Sequence, residues 1–298
     1  MKTHLSRPFI RLATASPAIG KSVLFLAAHA LPHTQPHWAL RAVAAGLDYC
    51  VPVETLLGNG MKIQVVWADW VGADIRTYGY YEPDVVTLME QLVKPGMVFI
   101  DAGAHVGQYT LLTAGLGASV HSFEPNPQTF QLLQYNVQTN ALTNVRLNQS
   151  ALAEANKIAT LQAGPADNIG TCSLGDVPKS KNHFVVQCQS LDSYIEENRL
   201  TDVHVMKIDV EGSELHVLRG ARSVLSRISK PQIIIEFAER NQRRFGFSCS
   251  QLGQFLTELG YELFQITDSG LLSYQYPKDG NSFSNVLARP KRKSSYVG

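Results

Sequence analysis

From residue 97 onward, short apolar runs alternate with amphipathic segments along the chain. Apolar runs of about four to eight residues are typical of buried strands, and apolar residues three and four positions apart are typical of helices that cover a sheet. The alternation therefore predicts an α/β fold with a doubly wound, mostly parallel, seven-stranded sheet, whose last two strands are antiparallel additions at one edge. The predicted strands are Met97–Ala102, Ser119–Phe123, Val145–Leu152, Val203–Asp209, Ile233–Phe237, Tyr261–Thr267 and Phe283–Ala288.

Amphipathic helices are predicted between these strands, where apolar residues recur at helical spacing. One segment, residues 157–186, breaks the alternation: Ile158–Leu161 and His183–Gln187 read as two strands around a loop rich in glycine and aspartate. This pattern predicts an inserted hairpin. The predicted helices are Gly107–Leu116, Pro127–Thr139, Ser213–Leu225 and Ser250–Leu259.

The first 96 residues follow a different pattern. Residues 1–50 contain Pro32 and Pro36, which break them into short helical pieces, so we predict an N-terminal helical extension. The apolar stretch Val23–Leu31 also resembles a weak secretory leader, and this alternative stays open, although the helical arm is favoured. Residues 51–96 predict a lead-in hairpin closed by Gly58–Gly60 and then a helix. The main domain is thus predicted to span residues 51–290, with a Rossmann-like core over 97–290 and a basic tail over 291–298.

Composition narrows the classes of partner. The 26 basic and 25 acidic residues give a net charge of +1, so no overall field favours nucleic acid, and a small molecule or a glycan is the expected partner. No apolar segment is long enough to span a bilayer. Cys50, Cys172, Cys188 and Cys249 lie far apart, which favours free thiols and a cytoplasmic location, with a bridge from Cys172 to Cys188 as the alternative.

The strongest local motif is Asp101–Gly107, which follows a predicted strand and runs directly into a helix. Glycine lets the backbone turn sharply and approach a ligand closely, although Gly103 and Gly107 would equally allow tight packing between strand and helix. Glu124 ends the next strand, about twenty residues beyond the glycines, where a carboxylate accepts hydrogen bonds from ribose hydroxyls. These features predict a cofactor that contains a nucleoside.

The surroundings of the glycines distinguish between two such cofactors. Dinucleotide sites carry three glycines before a helix whose amides face a pyrophosphate, whereas this loop has only Gly103 and Gly107, preceded by Asp101. S-adenosylmethionine has no phosphate and carries a positive sulfonium and amino group, so an acidic loop favours it on Coulombic grounds. An NAD-dependent oxidoreductase remains the alternative.

Further carboxylates follow the next predicted strands. Asp209 and Glu211 come at the end of one strand and Glu236 at the end of another, and ligands of open α/β sheets bind outside these ends. Asp209, Glu211 and Glu236 are therefore the predicted catalytic residues: Asp209 would face the sulfonium, and Glu211 would orient the acceptor or take its proton. Asp209 and His105 are the alternatives for taking the proton, and the sequence does not rank the three. A Mg²⁺ site on the three carboxylates is a less favoured alternative, and we predict no metal. Glu214 is interpreted as a first-turn helix residue, with Lys207 as its ion-pair partner.

Five segments together resemble the FkbM family of methyltransferases. The resemblance implies a class I methyltransferase fold and methyl transfer from S-adenosylmethionine to a hydroxyl of a sugar, glycolipid or natural product. A methyltransferase-like module that binds without catalysis is a further alternative. The segments are Gly79–Pro83, Phe99–Gly107, Phe123–Pro127, Lys207–Glu214 and Ile233–Glu236.

The resemblance also implies which residues hold the cofactor. The glycine loop would line the methionine portion, Glu124 would hold the ribose, and Tyr81 with Glu82 would close over the cofactor. The family's usual asparagine in the loop is His105 in this chain. The implied cofactor-binding residues are Tyr81, Glu82, Asp101, Gly103, His105, Gly107, Glu124 and Asn126.

Overall fold

The structure is a computed structural model that describes residues 52–66, 69–162, 173–174, 183–276 and 283–291. The helical extension predicted for residues 1–50, and residues 292–298 of the predicted tail, lie outside these ranges. Contacts within the chain divide it into two units, of which the first includes the described residues up to Tyr81 and the second begins at Glu82. The domain boundaries predicted from the sequence stay a prediction.

The first unit contains the predicted hairpin. Strands β1 (Pro52–Leu56) and β2 (Lys62–Val66) pair antiparallel, and the Gly60 amide donates to the Leu57 carbonyl at 2.8 Å in the turn between them. Helix α1 (Trp70–Tyr78), which the sequence pattern did not predict, follows. It begins at Asp69, whose side chain accepts from the Gly72 amide, and it ends at Gly79 in the left-handed conformation.

The second unit is built on an eight-stranded sheet. Its strands are β3 (Val98–Ala102), β4 (Ser119–Phe123), β5 (Val145–Asn148), β10 (Val205–Ile208), β11 (Gln232–Ala238), β12 (Tyr261–Thr267), β13 (Gly270–Ser273) and β14 (Phe283–Pro290). They lie in the order β13-β12-β14-β11-β10-β3-β4-β5. Five neighbouring strands, β11, β10, β3, β4 and β5, are parallel, and the remaining three add antiparallel pairs at one edge. The prediction of a mostly parallel α/β sheet is confirmed.

Helices connect these strands. Because most of the strands are parallel, each return of the chain needs a crossover, and helices supply most of these crossovers. The helices are α2 (Pro83–Leu92), α3 (Gln108–Gly115), α4 (Pro127–Thr139), α5 (Leu191–Glu197), α6 (Glu214–Gly220), α7 (Arg222–Leu225), α8 (Glu239–Arg244) and α9 (Cys249–Glu258).

The two faces of the main sheet differ in chemistry near the ends of the parallel strands. Alternate residues such as Ile100, Met206 and Ile235 join an apolar cluster with residues of α5, α6 and α9. The residues between them point to the opposite face, because side chains alternate along a strand. On that face α3 packs, since Thr110 donates to Asp101 at 2.6 Å. Apolar core therefore covers one face, whereas buried polar groups lie on the other.

The sheet corrects the predicted strand count from seven to eight. After β12 the chain reverses at Gly270 and continues as β13. Gly270 has a φ of +108°, a conformation that glycine adopts readily. The predicted strand Val145–Leu152 is also interrupted, because β6 (Ala151–Leu152) leaves the main sheet and pairs with β9 (His183–Gln189). The predicted helix Ser213–Leu225 is two helices, separated at Ala221, whose φ of −110° is not helical.

The predicted inserted hairpin is present. Strand β7 (Lys157–Gln162) pairs antiparallel with β9, and these two form a four-stranded sheet with β6 and β8 (Ser173–Leu174). Cys188 on β9 and Cys249 on α9 are buried free thiols, whereas Cys50 and Cys172 lie outside the described residues. No helix in the described part of the chain combines the length and the apolar character needed to cross a membrane.

Candidate active site

A row of polar side chains crosses the sheet where the parallel strands end, an edge that we call the carboxyl edge. Lys207 on β10 pairs with Asp101 on β3 and with Ile234 on β11. Glu236 lies two residues beyond Ile234, and it pairs with Asn285 on β14. The four polar side chains therefore project from the same face. We call Asp101, Lys207, Glu236 and Asn285 the polar row. Each of its members is at most 7% exposed.

Glu124 connects two segments of the carboxyl edge through hydrogen bonds. Its Oε2 accepts from the His105 amide at 2.9 Å, and its Oε1 accepts from the Asn126 amide at 2.8 Å. Burial raises the pKa of this carboxyl above its ordinary value, although both amide hydrogen bonds favour the ionised form. Each oxygen retains a second lone pair, so the group can still accept from a ligand.

Asn126 has a structural role in the same segment. Its side chain accepts from the Gln128 amide at 3.0 Å and so caps the first turn of α4. Asparagine is among the residues that helices prefer at this position. Its predicted contact with a cofactor stays a prediction.

The two glycines of the loop are required by packing. A Cβ on Gly103 would lie 1.8 Å from the Asp209 carbonyl oxygen, and a Cβ on Gly107 would lie 2.5 Å from a methyl carbon of Leu133. Both residues also have positive φ. Gly103 therefore lets the loop after β3 lie directly against the end of β10, which brings Asp101 and Asp209 into one region.

Asp101 is the most buried carboxylate of the polar row. Its Oδ2 accepts from Thr110, and its Oδ1 has no hydrogen-bond partner among the described residues. Burial raises the pKa of Asp101 to about 6, against the opposing effects of the Thr110 hydrogen bond and the positive charge of Lys207. An unsatisfied buried oxygen is costly, which marks this position as suited to a donor from a ligand.

Lys207 is fully buried and forms an ion pair with Asp209 at 2.9 Å. Burial alone would lower the pKa of Lys207, but the carboxylates of Asp209 and Glu82 outweigh burial and raise it. The ammonium group also lies 5.4 Å from the ring centroid of Tyr109. The partner of Lys207 is therefore Asp209, and the predicted pairing with Glu214 is wrong.

Glu82 joins three elements of the second unit. Its two carboxylate oxygens accept from the Tyr109 hydroxyl at 2.6 Å and from the Asn285 amide at 2.7 Å. Tyr109 belongs to α3 and Asn285 to β14, while Glu82 itself precedes α2. Glu82 therefore fixes the N-terminus of α2 at the carboxyl edge.

Glu211 lies in the turn after β10, with φ of +55°. Its Oε2 accepts from the Asn241 side chain at 3.1 Å. Burial and then the negative charges of Asp209 and Glu214 raise the pKa of Glu211 to about 8, against smaller opposing effects of Arg244 and Lys207. This carboxyl therefore exchanges its proton near neutral pH.

Glu214 has the predicted position in the first turn of α6. Its Oε1 accepts from the amides of Val210 and Gly212, and its Oε2 accepts from Gln242 at 2.8 Å. Burial raises the pKa of this carboxyl. Glu214 thus closes the turn that carries Glu211, and its role is structural.

Glu236 lies within the buried run of β11, which continues through Phe237 and Ala238. Burial, followed by the charges of Asp209, Glu214 and Glu211, raises the pKa of Glu236 well above its ordinary value. Its Oε2 is buried without a hydrogen-bond partner among the described residues. In that part of the chain, no group of three or more His, Cys, Asp or Glu side chains is arranged to hold a metal ion.

Backbone strain coincides with the candidate site. Five described non-glycine residues have positive φ, and three of them, Glu82, His105 and Glu211, are predicted site residues. Such conformations cost about 1–3 kcal/mol each and persist where surrounding contacts enforce them, often at functional sites. Glu82 and Glu211 are held by the side-chain hydrogen bonds given above, and His105 is held through its amide by Glu124.

The shifted pKa of Glu211 predicts how stability depends on pH. Because its folded-state pKa of about 8 exceeds the ordinary 4.5, its contribution to stability is complete below about pH 4.5 and is lost as the pH rises through 8. Each unit of pKa shift corresponds to about 1.4 kcal/mol, or about 3 to 5 °C in Tm for a protein of this size. We expect Tm to fall between pH 5 and pH 9 and to fall less in Glu211→Gln, as measured by scanning calorimetry. If Tm falls equally with pH in the two proteins, the raised pKa of Glu211 is contradicted.

The structure brings most of the predicted site residues to one edge. Gly103, His105 and Gly107 lie in the loop after β3, with Asp101 at the end of that strand and Glu124 against the loop. Asp209 and Glu211 follow β10, and Glu236 lies within the next strand, β11. Tyr81 belongs to the first unit, so its predicted contact stays a prediction. Sequence reasoning missed Tyr109 and Asn285. The sequence signal for Asn285 is a polar residue directly before the apolar run 286–288, and all four residues are buried.

The fold and the residues at the carboxyl edge together define the class of protein. A parallel sheet with helical crossovers, a glycine turn after β3 and a buried carboxylate at the end of β4 form the framework of a Rossmann-like nucleoside site. The model of the methyltransferase FkbM domain matches residues 101–263, more than half of the chain. The chain belongs to this family, which confirms the resemblance seen in its sequence.

Two curated relatives are similar over part of their length. The hexuronic acid methyltransferase AglP of Haloferax volcanii is 27% identical over 167 residues, covering 56% of this chain and 66% of that protein. The 31-O-demethyl-FK506 methyltransferase FkbM of Streptomyces tacrolimicus is 27% identical over 160 residues, covering 43% and 60%. The match thus spans less than two thirds of each relative.

Solved structures of low identity also match much of the chain. One is TYW2 of M. jannaschii in complex with AdoMet, which is 14% identical with a TM-score of 0.42, covering 80% of this chain and 84% of that one. The TM-score is too low for this likeness to add to the fold described above.

Proposed function

We propose that the chain transfers a methyl group from S-adenosylmethionine to a hydroxyl oxygen of a sugar or another hydroxylated small molecule. The observation that carries the proposal is Glu124, buried at the end of β4 and hydrogen-bonded to the loop that follows β3. Membership of the FkbM methyltransferase family supports the reaction. One relative is named for a hexuronic acid and another for a 31-O-demethyl substrate, which supports oxygen as the acceptor atom.

The residues at the carboxyl edge fit this cofactor. Glu124 has free lone pairs for the ribose hydroxyls, and Asp101 has a buried oxygen without a partner among the described residues. Carboxylates also suit the positive sulfonium and amino group of S-adenosylmethionine. When bound, the cofactor supplies an electrophilic methyl group. The chain's own residues must then orient the acceptor oxygen and take up its proton.

Glu211 is the general base in this proposal. A catalytic base is most effective when its pKa lies near the operating pH, and the pKa of Glu211 is about 8. Its Oε2 is positioned by Asn241, and the turn that carries it is closed by Glu214. Asp209 is held by Lys207 and contributes a carboxylate beside the reacting groups.

Replacing Glu124 with Ala is expected to weaken S-adenosylmethionine binding by about 1.5 to 3 kcal/mol, because hydrogen bonds to a charged group are lost. This corresponds to roughly 10- to 150-fold in Kd. The same change leaves the amides of His105 and Asn126 without their acceptor, so some loss of stability accompanies it. Titration calorimetry measures the affinity, with the exposed Glu197→Ala as the control. An unchanged Kd would remove Glu124 from the cofactor site.

The proposal itself is tested by binding and transfer together. S-adenosylmethionine and NAD are titrated side by side into the purified chain by calorimetry, and transfer of labelled methyl is then followed to a panel of hydroxylated sugars and lipids. Binding of S-adenosylmethionine with transfer to an acceptor would support the proposal. Preferential binding of NAD would favour the oxidoreductase alternative, and cofactor binding without transfer to any acceptor would favour a non-catalytic module.

A further inference from the structure

Besides Asp101, two members of the polar row each have a buried oxygen without a hydrogen-bond partner among the described residues. Glu236 Oε2 and Asn285 Oδ1 have no hydrogen-bond partner among the described residues, although each residue is only 7% exposed. Most buried side-chain polar atoms in proteins are hydrogen-bonded, and an exception calls for an explanation. Two exceptions in one place are consistent with a site built for a polar ligand.

The strand register brings these two side chains together. Glu236 and Asn285 are direct partners in the antiparallel pair of β11 and β14, and partners in such a pair project side by side on one face. Asn285 is fixed, because its amide nitrogen donates to Glu82 at 2.7 Å and its oxygen must then point elsewhere. The two unsatisfied oxygens therefore belong to neighbouring side chains on the face that carries Lys207.

Their position separates them from the glycine loop and Glu124, although Asn285 also donates to Glu82, which the resemblance assigns to the cofactor. The glycine loop and Glu124 follow β3 and β4, whereas β11 and β14 lie beyond β10 on the other side of β3 in the sheet. Asp209 and Glu211 follow β10, between the two groups. The order along the carboxyl edge is thus cofactor residues, then the base, then Glu236 and Asn285.

We propose that Glu236 and Asn285 bind two neighbouring hydroxyl groups of an uncharged polyol acceptor. This inference rests on the proposed function and specifies its acceptor. The Asn285 oxygen accepts from one hydroxyl, while the Glu236 carboxyl pairs with the other as a donor or an acceptor. A diol satisfies both groups at once, which a single hydroxyl does not. Burial favours the neutral form of Glu236, since its pKa is raised, and a neutral carboxyl is able to donate.

The charges nearby select against an anionic acceptor. Three carboxyl groups, those of Asp209, Glu214 and Glu211, oppose a negative charge on Glu236, whereas Lys207 favours it. Acidic groups therefore outnumber basic ones around this position in the described part of the chain. A carboxylate on the acceptor would be repelled, and repulsion of this kind is a common source of specificity. The inference therefore separates this chain from the relative that is named for hexuronic acid.

The test uses sugars that differ in charge. The probes are the methyl glycosides of glucose, mannose and galactose, together with methyl glucuronoside, which replaces the glucose CH₂OH with a carboxylate. Transfer of labelled methyl from S-adenosylmethionine gives kcat and KM for each, and calorimetry gives the Kd of the cofactor. At least one hexoside is expected to be methylated, with kcat/KM at least ten-fold above that of the glucuronoside.

The variants Asn285→Ala and Glu236→Ala are expected to raise KM for the hexoside at least ten-fold. Glu236→Ala is also expected to change the cofactor Kd less than two-fold. Glu236→Gln, which keeps one donor and one acceptor, is expected to remain within about three-fold of the original KM. The matched controls are Ser284→Ala, which is the neighbour on β14 and projects to the opposite face, and Glu262→Ala, which changes an exposed carboxylate on β12. Neither control should change KM.

Three outcomes would overturn the acceptor assignment: preference for the glucuronoside, an unchanged KM in both alanine variants, or a chain that binds S-adenosylmethionine and methylates none of the three hexosides. Thermal melts exclude misfolding as the cause of a loss. Failure of the chain to bind S-adenosylmethionine would instead overturn the proposed function, so the two failures are distinguishable.

Discussion

Glu211→Gln is expected to lower kcat by about 10²- to 10⁴-fold, the usual contribution of a general base. The substitution keeps the size of the side chain and an oxygen that can accept from Asn241, but it removes the ability to take up a proton. In the unchanged protein the rate should rise with pH and level off above about pH 8, because only ionised Glu211 accepts the proton. The variant should lose this rise. A pH–rate profile with a saturating acceptor measures both effects.

The interpretation of this experiment depends on two comparisons. Glu197→Gln makes the same change on an exposed carboxylate of α5 and should leave kcat and the pH profile unchanged. The Kd of S-adenosylmethionine should stay close to that of the unchanged protein, since Glu211 is assigned to proton transfer. A variant that keeps kcat but raises KM would place Glu211 in acceptor binding, whereas a pH profile that survives the substitution would assign the base to another residue.

Features that are local in the chain could be predicted from the sequence. The glycine turn and Glu124 each follow directly from an apolar strand, and parallel strands bring their ends to one edge. Asp209, Glu211 and Glu236 were predicted for the same reason, because each lies at or near the end of a strand of the same sheet. Strand order was not needed for these predictions.

Features that depend on distant contacts could not be predicted in this way. Asn285 hydrogen-bonds to Glu82, which lies 203 residues earlier in the chain. Lys207 has several carboxylates within a few residues along the chain, and only the three-dimensional arrangement selects Asp209 as its partner. By contrast, the hairpin of β12 and β13 is local, and Asp268, Ser269 and Gly270 are typical turn residues, so the sequence does mark this turn. Periodicity reports which face of an element is buried and not which side chain lies opposite.

The polar row combines residues that could be predicted from the local sequence with residues that are set by distant contacts. Its members lie on four neighbouring strands, and each strand has apolar residues on its other face. A buried row of this composition costs desolvation, which hydrogen bonds and ion pairs offset only in part. Asp101, Glu236 and Asn285 each retain an unsatisfied oxygen among the described residues. Stability alone does not account for that arrangement, whereas binding of a polar ligand does.

Gly103→Ala is expected to destabilise the protein by about 3 kcal/mol or more, or about 6 to 12 °C in Tm. Two effects add. An alanine at the φ of +83° costs about 1–2 kcal/mol, and its Cβ would lie 1.8 Å from the Asp209 carbonyl oxygen, so the backbone at the end of β10 would have to move. Gly246→Ala separates these effects, because Gly246 has the same φ of +83° with nothing within 4 Å of the added Cβ. Urea unfolding should therefore show a loss of only about 1–2 kcal/mol for Gly246→Ala. If the two variants lose equal stability, the added Cβ at position 103 does not disturb the end of β10. Gly103 would then be required only because of its positive φ.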